Sequence, residues 1–441
     1  MNVALVKNET GSALSDSFAI ARDRLPGAGK VAAARGAAFD AYAQAGLPHR
    51  RIEDWKYTDL RALMREVLPL APVPAAADLT RAAAAAKLHG LDGVRRLVLV
   101  DGVFAPKLSE LGGLEQGLNI RTLRETLEGS DAALQTQLLG PDNSNPMVAL
   151  NSAMMTDGVV IEIGDGVVLT RPLQIVHIAS GAVPAAMFTR SLLRLGKDAG
   201  VTLVESYIAA DGAKAYQVHD SLIISIGNNS RLDHVRLIED SRDAFNISSA
   251  VVSLGAHAHF NTFGVNSGAG VSRYQANIAF AGEGSRVETN GVNLLNGRQH
   301  ADTTLFMDHA VPNGVSREIF RAVVDDRAHS VFQGRIIVRP HAQKTDAKMM
   351  TRALLLSDDA EADNKPELEI FADDVTCGHG ATTGALDESL LFYLRARGLS
   401  EKEAQALLIQ AFVGEAIESI VNDGLRELAI AAAQRWLEAR G

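Results

Sequence analysis

Two side chains near the carboxyl end of the chain, Cys377 and His379, combine donor types that bind transition metals. They lie two positions apart in the segment TCGHG, so an extended backbone would place both on the same side, about 7 Å apart from two steps of ~3.3 Å. A thiolate and an imidazole suit iron, zinc or the edge of a metal cluster. Gly378 and Gly380 leave room for close approach by a metal or another backbone. Alternatively, the cysteine is a small buried apolar residue, and the histidine is a hydrogen-bonded residue at a corner of the fold.

Four other histidines have spacings at which side chains could bind a metal ion or form part of a site. His257 and His259 lie two apart, so in a strand they would share one face and could share a metal. The alternative is that they are polar turn residues of one repeat, because nothing nearby supplies an obvious third ligand. His300 and His309 flank the segment ADTTLFMD, and we expect them to be hydrogen-bonded surface histidines.

Cys377 is the only cysteine in the chain. An intrachain disulfide is therefore impossible, which is typical of proteins in a reducing compartment. A metal or cluster site made of four cysteines from one chain is excluded as well.

Composition narrows the class of protein further. A hydrophobic fraction of 47% and a charged fraction of 22% favour a folded globular chain over a disordered or fibrous one. A net charge of -10 disfavours binding to nucleic acid. No apolar run reaches the ~18 residues of a membrane helix, and the amino-terminal segment lacks a secretory pattern. We therefore expect a cytoplasmic protein with neither a membrane nor a nucleic-acid partner.

Motifs of nucleotide-binding and hydrolytic enzymes are missing from the sequence. The segment PGAGKV around Gly27 does not complete a phosphate loop, because the first glycine of that motif would fall on Arg24 and its last position is Val31. Neither G-x-S-x-G nor H-E-x-x-H occurs. We expect no nucleotide binding and no catalysis by this chain alone.

The elements that must position these side chains fall into three regions. Residues 1–150 are predicted to be mostly helical, with a strand at residues 96–100 that enters a turn. Residues 151–381 alternate apolar and polar side chains between glycine-, asparagine- and aspartate-rich turns, which predicts a β-rich core. Residues 382–441 return to helical spacing and contain an S-x-x-E capping box from Ser400 to Glu403.

Similar turns recur through the β-rich core. They are IGDGVV from Ile163, LGKDAGV from Leu195, IGNNSRL from Ile226, LGAHAHF from Leu254, FAGEGSRV from Phe280, VDDRAHSV from Val324 and LSDDAEA from Leu356. Most successive copies are roughly 27 to 33 residues apart, with one gap of about 43. Short β units that cannot each bury an apolar face must stack on their neighbours, which predicts a β-solenoid. A β-sandwich, with turns every ~8 to 12 residues, is the competing fold.

Four long segments carry a more specific pattern. They are PHRRIEDWKYTDL (48–60), HADTTLFMDHAVPNGVSREIFRAVV (300–324), VFQGRIIVRPHAQKTDAKMMTRALLLSDDAEADNKPELEIFADD (331–374) and FADDVTCGHGATTGALDESLLFYLRARGLSEKEAQALLIQAF (371–412). Together they resemble the SufB/SufD family of iron-sulfur cluster assembly proteins. SufB-like members usually carry Glu at the position of Gly380 and several further cysteines, so this chain is more similar to the SufD-like members.

The resemblance implies a mainly β fold, with a right-handed parallel β-helix core flanked by N-terminal and C-terminal helical regions. It also implies a non-catalytic scaffold subunit that pairs with SufB through the β-helices, while the C-terminal helical region binds the SufC ATPase. Within that region we expect the amphipathic helices from Glu401 to Trp436 to dock SufC. The family places a cluster or iron ligand at the SufB interface, and that ligand maps onto His379. Family variation leaves the role of Cys377 open between a second ligand and a packed residue. An iron-sulfur cluster would then be shared transiently with SufB and not held stably by this chain alone.

Two other functions remain as alternatives. One is a stand-alone homodimeric adaptor that delivers iron or clusters without SufB. The other is an enzyme, since parallel β-helices also host polysaccharide lyases and acyltransferases. No group of acidic or basic residues and no strict hexapeptide repeat supports the enzyme.

Overall fold

The computed structural model describes residues 13–89, 91–140, 145–420 and 422–440. Residues 1–12 of the predicted N-terminal region and residues 141–144, next to its predicted boundary, lie outside the described residues. Residues 13–21 belong to the first helix, α1. The other helices are α2 (Lys30–Ala45), α3 (Leu60–Leu63), α4 (Ala76–Leu88), α5 (Leu123–Glu128), α6 (Ala132–Leu139), α7 (Pro146–Met154), α8 (Glu388–Ala396), α9 (Glu401–Ile417) and α10 (Asp423–Arg440).

The first three strands lie in the N-terminal region, and from the fourth strand onward the strands follow one another without an intervening helix. They are β1 (Arg95–Val100), β2 (Val103–Phe104), β3 (Leu118–Thr122), β4 (Val159–Ile163), β5 (Leu173–Ala179), β6 (Ala185–Leu195), β7 (Gly200–Ala209), β8 (Tyr216–Ile226), β9 (Arg231–Glu239), β10 (Phe245–Leu254), β11 (His259–Asn266), β12 (Val271–Phe280), β13 (Arg286–Leu295), β14 (His300–His309), β15 (Val315–Val324), β16 (His329–Val338), β17 (Asp346–Leu355), β18 (Glu361–Ile370) and β19 (Thr376–Gly384). The division into three regions stays a prediction, and its positions 150 and 381 fall inside α7 and β19.

Strands β4 to β19 alternate between two parallel sheets. The odd-numbered strands lie in a ten-stranded sheet that ends with β19, and the even-numbered strands lie in a nine-stranded sheet that ends with β18. Two successive strands make one coil, and the described residues contain eight such coils. Residues of neighbouring coils pair 26 to 32 positions apart, as Val271 does with Phe245 and Glu361 with His329. The predicted β-solenoid is confirmed, and the β-sandwich alternative is wrong.

Left-handed backbone conformations form a ladder along one edge of the solenoid. Positive φ angles recur in the turns that follow strands of the nine-stranded sheet, at Asp198, Asn229, His257, Asn313 and Lys344. Their amides bond to the next coil, as when Asp198 N–H donates to the Asn228 carbonyl at 2.8 Å. Aspartate and asparagine tolerate this conformation better than most residues, which explains their frequency in the repeated turns.

The irregular gap of about 43 residues in the turn series has a simple geometric origin. The turn at Phe280 follows β12 in the nine-stranded sheet, whereas the turn at Val324 follows β15 in the ten-stranded sheet. The gap therefore spans one and a half coils, because the series of similar sequences crosses from one edge of the solenoid to the other. The missing member on the first edge is the turn between His309 and Val315.

Alternate residues of each strand face the lumen between the sheets, and the parallel register aligns them in rows. One row of the ten-stranded sheet is Val201, Leu232, Phe260, Val287, Ser316, Ala347 and Cys377. The neighbouring row is Leu203, His234, Thr262, Thr289, Glu318, Met349 and His379. Both predicted ligands are thus the last members of rows that run along the inside of the solenoid.

The N-terminal block with the pattern PHRRIEDWKYTDL is fixed to the nine-stranded sheet by a buried ion pair. The Arg273 guanidinium lies over the Trp55 ring, 3.9 Å from its centroid, and donates to the Asp54 carbonyl at 2.6 Å. It also pairs with Asp302, which accepts a hydrogen bond from Thr58. Because both charges are buried and share partners from two parts of the chain, they hold the block in one orientation.

The last two helices cover the outer face of the ten-stranded sheet. Apolar residues of α9 and α10, including Val413 and Trp436, pack against Val265 and Val292 of the sheet. The predicted capping box is confirmed, because the Ser400 hydroxyl and Glu403 side chain satisfy each other's backbone N–H groups at the start of α9. Helix α8, in contrast, buries none of its residues. Among the described helices, none has the length and apolar character needed to span a membrane.

The packing of α10 predicts that Trp436→Ala will lower the free energy of unfolding by about 3–5 kcal/mol, the usual loss for a buried aromatic side chain. Trp436→Phe should cost less, since the buried indole N–H has no hydrogen-bond partner among the described residues. Denaturant unfolding measures both. The exposed Ile430 on the same helix is the control, and Ile430→Ala should change stability by less than about 0.5 kcal/mol. Equal losses at the two positions would contradict this packing.

The inward-facing Glu318 predicts a pH-dependent stability. Its side chain is fully buried without a hydrogen-bond partner for either oxygen among the described residues, and this burial raises its pKa to about 8, offset only in part by the nearby Ser316 hydroxyl. The folded chain therefore holds a proton that the unfolded chain releases at lower pH. The stability linked to this proton is complete below a pH of about 4.5 and is lost as the pH rises through about 8.

We expect the melting temperature of the chain to fall between about pH 5 and pH 9 more steeply than that of Glu318→Gln, measured by circular dichroism in one buffer series. Glu361→Gln, at an exposed position, should keep the steep profile. A Glu318→Gln profile parallel to that of the unaltered chain would show that Glu318 is ionised in the folded state.

Candidate functional site

Cys377 and His379 lie on β19, the last strand of the ten-stranded sheet. They pair with Ala347 and Met349 of β17, both of which belong to the apolar core. Since paired residues of a parallel ladder share a face, Cys377 and His379 both face the lumen, as their spacing predicts.

The coil that carries this pair is open on its outer side. Strands β18 and β19 end their sheets, and no described strand pairs with their outer edges. Ile370 and Phe371, at the end of β18, are 42% and 58% exposed. Unpaired edge strands and exposed apolar side chains make this end a surface on which another chain could pair.

Cys377 is half-buried and packs against the apolar core. Burial raises the pKa of its thiol, and the Asp346 carboxylate adds to the shift, while a hydrogen bond with the Ala347 backbone opposes it. The side chain is therefore a thiol at neutral pH. Binding of a metal would have to displace this proton, because the thiolate is the ligand form.

His379 is exposed and stands directly above Met349 in its row. The two flanking glycines differ in the space around them. A Cβ at Gly378 would meet nothing within 4 Å, whereas a Cβ at Gly380 would lie 2.7 Å from the Met350 Cε. A larger residue at position 380 therefore requires the flexible Met350 side chain to move.

Among the described residues, no further histidine, cysteine or carboxylate completes a group of three donors with this pair. Within the described ranges, the one group of three or more histidine, cysteine or carboxylate donors within 4.8 Å of one another is His177, Glu205 and Asp220, far from β19. Cys377 and His379 thus offer one sulfur and one nitrogen, whereas closed metal sites commonly use four ligands. Any metal or cluster at this end needs donors from another molecule.

The other candidate histidines do not form sites. His257 lies in a turn with a φ of 54°, and His259 begins β11, so the hypothesis that they share one strand face is wrong. The alternative turn position is correct for His257. Its ring packs against Gly284, where a Cβ would lie 2.5 Å from the His257 Nδ1.

The predicted surface position of His300 and His309 is also wrong, because both are buried inside the packed coils. The His300 Nε2 lies 2.9 Å from the Thr58 hydroxyl, and the His309 Nε2 lies 3.1 Å from the Ser316 hydroxyl. Burial lowers the pKa of each to about 4, with a smaller contribution from His329 in the case of His300. They are neutral hydrogen-bonded residues of the fold.

Sequence reasoning missed the group of His177, Glu205 and Asp220. These residues come from β5, β7 and β8, so no short motif contains them. Only the coil register, which aligns β5 with β7 and places β8 in the opposite sheet, could have predicted their approach.

Comparisons with known proteins agree over nearly the whole chain. Residues 177–412 match the family model described as the SufBD core domain of the SUF system for FeS cluster assembly, and residues 23–175 match that of the SufBD protein N-terminal region. An iron-sulfur cluster assembly SufBD family protein of Synechocystis sp. is 32% identical over 399 residues, which cover 88% of this chain and 86% of the relative. The iron-sulfur cluster assembly protein SufD of Escherichia coli is 30% identical over 392 residues, covering 88% of each chain. The chain therefore belongs to the SufBD family of iron-sulfur cluster assembly proteins.

Proposed function

We propose that this chain is a SufD-type scaffold subunit that pairs with SufB through the open end of its solenoid and shares a nascent iron-sulfur cluster there. The observation that carries the proposal is the incomplete donor pair, Cys377 and His379, at the end of two inward rows on an unpaired coil. Similarity to the SufD protein of Escherichia coli supports the assignment to this branch of the family.

Pairing at this end satisfies two physical needs of the last coil. The free N–H and C=O groups of β18 and β19 gain partners, and the exposed Ile370 and Phe371 side chains lose contact with water. A partner strand in that position also brings its own side chains next to the lumen-facing donors. The missing ligands would therefore come from SufB.

The two donors have different roles in the proposed site. His379 is exposed and needs no rearrangement to bind, so it is the principal ligand from this chain. The raised pKa of Cys377 and its contact with the core favour a packed thiol that ligates only when a metal displaces its proton.

The helices expected to dock SufC, from Glu401 to Trp436, pack their apolar residues on the ten-stranded sheet, so we propose that SufC binds the neighbouring helix α8. This helix is capped by Asp387, whose carboxylate accepts from the Ser389 backbone N–H at 2.8 Å, yet it buries none of its residues. Leu390, Phe392 and Tyr393 are 51%, 75% and 53% exposed. An ordered helix with an unburied apolar surface is suited to a partner's groove. ATP turnover would belong to SufC, in the cytoplasm, with this chain acting as a non-catalytic scaffold.

A homodimer is the second candidate, since the same open end could accept a second copy. Two copies would supply two Cys377 and two His379 side chains, enough donors for a site without SufB. Size-exclusion chromatography with light scattering, with and without SufB and SufC, distinguishes the two. The scaffold proposal expects any homodimer to exchange for a complex with SufB.

His379→Ala should leave assembly with SufB and SufC unchanged while cluster formation on the complex falls about tenfold or more, because an exposed ligand is lost and no packing contact is removed. Co-purification measures assembly, and iron and sulfide analysis with visible absorption measures the cluster. Cys377→Ser should have the milder effect.

His341→Ala is the matched control, because His341 is an exposed histidine in the turn before β17. It should change neither quantity. Full cluster formation on an intact His379→Ala complex would rule out the ligand role, and failure of that variant to assemble would make His379 a structural contact.

Phe392→Ser should weaken SufC binding by about 30-fold or more, the effect of losing an aromatic anchor worth ~2 kcal/mol at an interface. Titration calorimetry with purified SufC measures the affinity, and the melting temperature should not change because Phe392 makes no core contact. Leu88→Ser, at the 81% exposed end of α4, is the control. SufC affinity equal in both variants would exclude α8 as the docking site.

A further inference from the structure

The lumen of the solenoid contains a second set of metal-binding donors, distant from β19. His177 and Glu205 come from the adjacent strands β5 and β7 of the ten-stranded sheet, and Asp220 comes from β8 in the opposite sheet. One ligand atom from each lies within 4.8 Å of the others. All three are buried, with exposed fractions of 7%, 3% and 4%. One ion could therefore contact donors from both sheets.

The surrounding side chains orient the two carboxylates. The Glu205 carboxylate lies 3.2 Å from the Tyr207 hydroxyl oxygen and 2.9 Å from the His234 Nε2. Asp220 accepts from the Tyr207 hydroxyl at 2.8 Å and from the Thr189 hydroxyl at 2.5 Å. Outer hydrogen bonds of this kind commonly fix the ligands of metal sites.

His177 provides an independent sign of a missing ligand. Its ring stacks on Tyr207 with the centroids 4.4 Å apart, but neither ring nitrogen has a hydrogen-bond partner within the described part of the chain. Neither nitrogen is among the fully enclosed polar atoms that lack a partner, so the imidazole keeps contact with accessible space and its lone pair is open to a ligand. A cation in contact with all three groups would satisfy it.

The charges of the cluster point the same way. Its nearest guanidinium, Arg236, lies over the Tyr207 ring at 4.5 Å and donates to the Ser248 hydroxyl at 2.5 Å. Among the described residues it forms no ion pair with Glu205 or Asp220, whose direct partners are hydroxyl groups and His234. Of the two buried carboxylates, Glu205 pairs directly with His234, and Asp220 accepts from hydroxyl groups, while Arg236 lies nearby without an ion pair to either.

We propose that His177, Glu205 and Asp220 bind one divalent first-row transition-metal ion inside the solenoid, separate from the cluster site at β19. One nitrogen and two carboxylate ligands suit Mn²⁺, Fe²⁺ or Zn²⁺, and the absence of sulfur from this donor set disfavours Cu⁺ and cluster chemistry. The ion would link strands β5, β7 and β8 across the lumen. Seven steps along the ten-stranded sheet separate β5 from β19, about 34 Å, so the two sites are independent.

Co²⁺ is the probe for this site, because its visible absorption reports the ligand set. The metal-free chain is refolded anaerobically with Co²⁺, since a buried site needs access during folding, and excess ion is removed by gel filtration. We expect one equivalent of retained Co²⁺, ligand-field bands in the visible range without thiolate charge-transfer absorption, and a higher melting temperature than the metal-free chain has.

His177→Ala and Asp220→Asn should each lose the bound equivalent and the metal-dependent rise in melting temperature. The matched control is His219→Gln, which alters a buried histidine next to Asp220 whose side chain faces away from the lumen and stacks on Phe188. It should retain the ion. The double variant Cys377→Ser and His379→Ala should retain the ion too.

Several outcomes would overturn the proposal. They are the absence of stoichiometric Co²⁺ in the correctly refolded chain, unchanged binding in both His177→Ala and Asp220→Asn, and loss of binding in the double variant at β19. Thiolate charge-transfer absorption would assign the retained ion to Cys377 instead. None of these results bears on pairing with SufB, so the proposed scaffold function is tested separately.

Discussion

In-register hydrogen bonding between successive coils is the constraint on which the rest of this molecule depends. Each coil satisfies its backbone only through the coils on either side, so a solenoid necessarily has two ends where that pairing stops. At the N-terminal end, the two sheets finish with β2 and β3, which pair in antiparallel fashion with β1 and β4. No described strand does the same for β18 and β19. The two ends therefore differ, because antiparallel strands flank the first coils and no described strand covers the outer edges of the last coil.

The same register determines what the interior contains. Because equivalent positions stack directly, a polar residue in one coil is placed against its counterparts in the neighbouring coils, and the lumen acquires polar rows beside apolar ones. Leu203 and His234 are consecutive members of such a row, and Glu318 and His379 occur further along it. The outer faces of the two sheets are not organised by the coil register. They are covered by separate segments, the N-terminal block on one sheet and α9 with α10 on the other.

Much of this arrangement could be predicted from the sequence because it depends on local periodicity. The repeat length, the strand Arg95–Val100, the capping box at Ser400 and the shared face of Cys377 and His379 all follow from residues close together in the chain. The errors arose where position depended on the coil. His257 looked like a strand residue, yet the ladder of left-handed turns requires it at a corner.

His300 was misplaced for a related reason, because alternation alone does not show that the N-terminal block covers the face on which it lies. His309 instead packs on Phe280 in the core between the sheets. The group of His177, Glu205 and Asp220 could not be predicted from local sequence patterns. Its members meet across the lumen between two sheets, and their contact depends on how three strands are wound. A repeat length that varies from 26 to 32 residues does not fix that winding in advance.

In the proposed complex, a cluster held by donors from two chains would couple ligand binding to subunit pairing. Binding free energy that requires both partners stabilises the pair, and by linkage the pair raises affinity for the cluster. Release then requires a force that separates or deforms the open ends. Helices α9 and α10 lie on the ten-stranded sheet, and β19 is the last strand of that same sheet. In that proposed complex, a SufC ATPase bound at α8 would act through continuous packing on the strand that carries His379, and this would give the scaffold a mechanical part in an ATP-driven cycle.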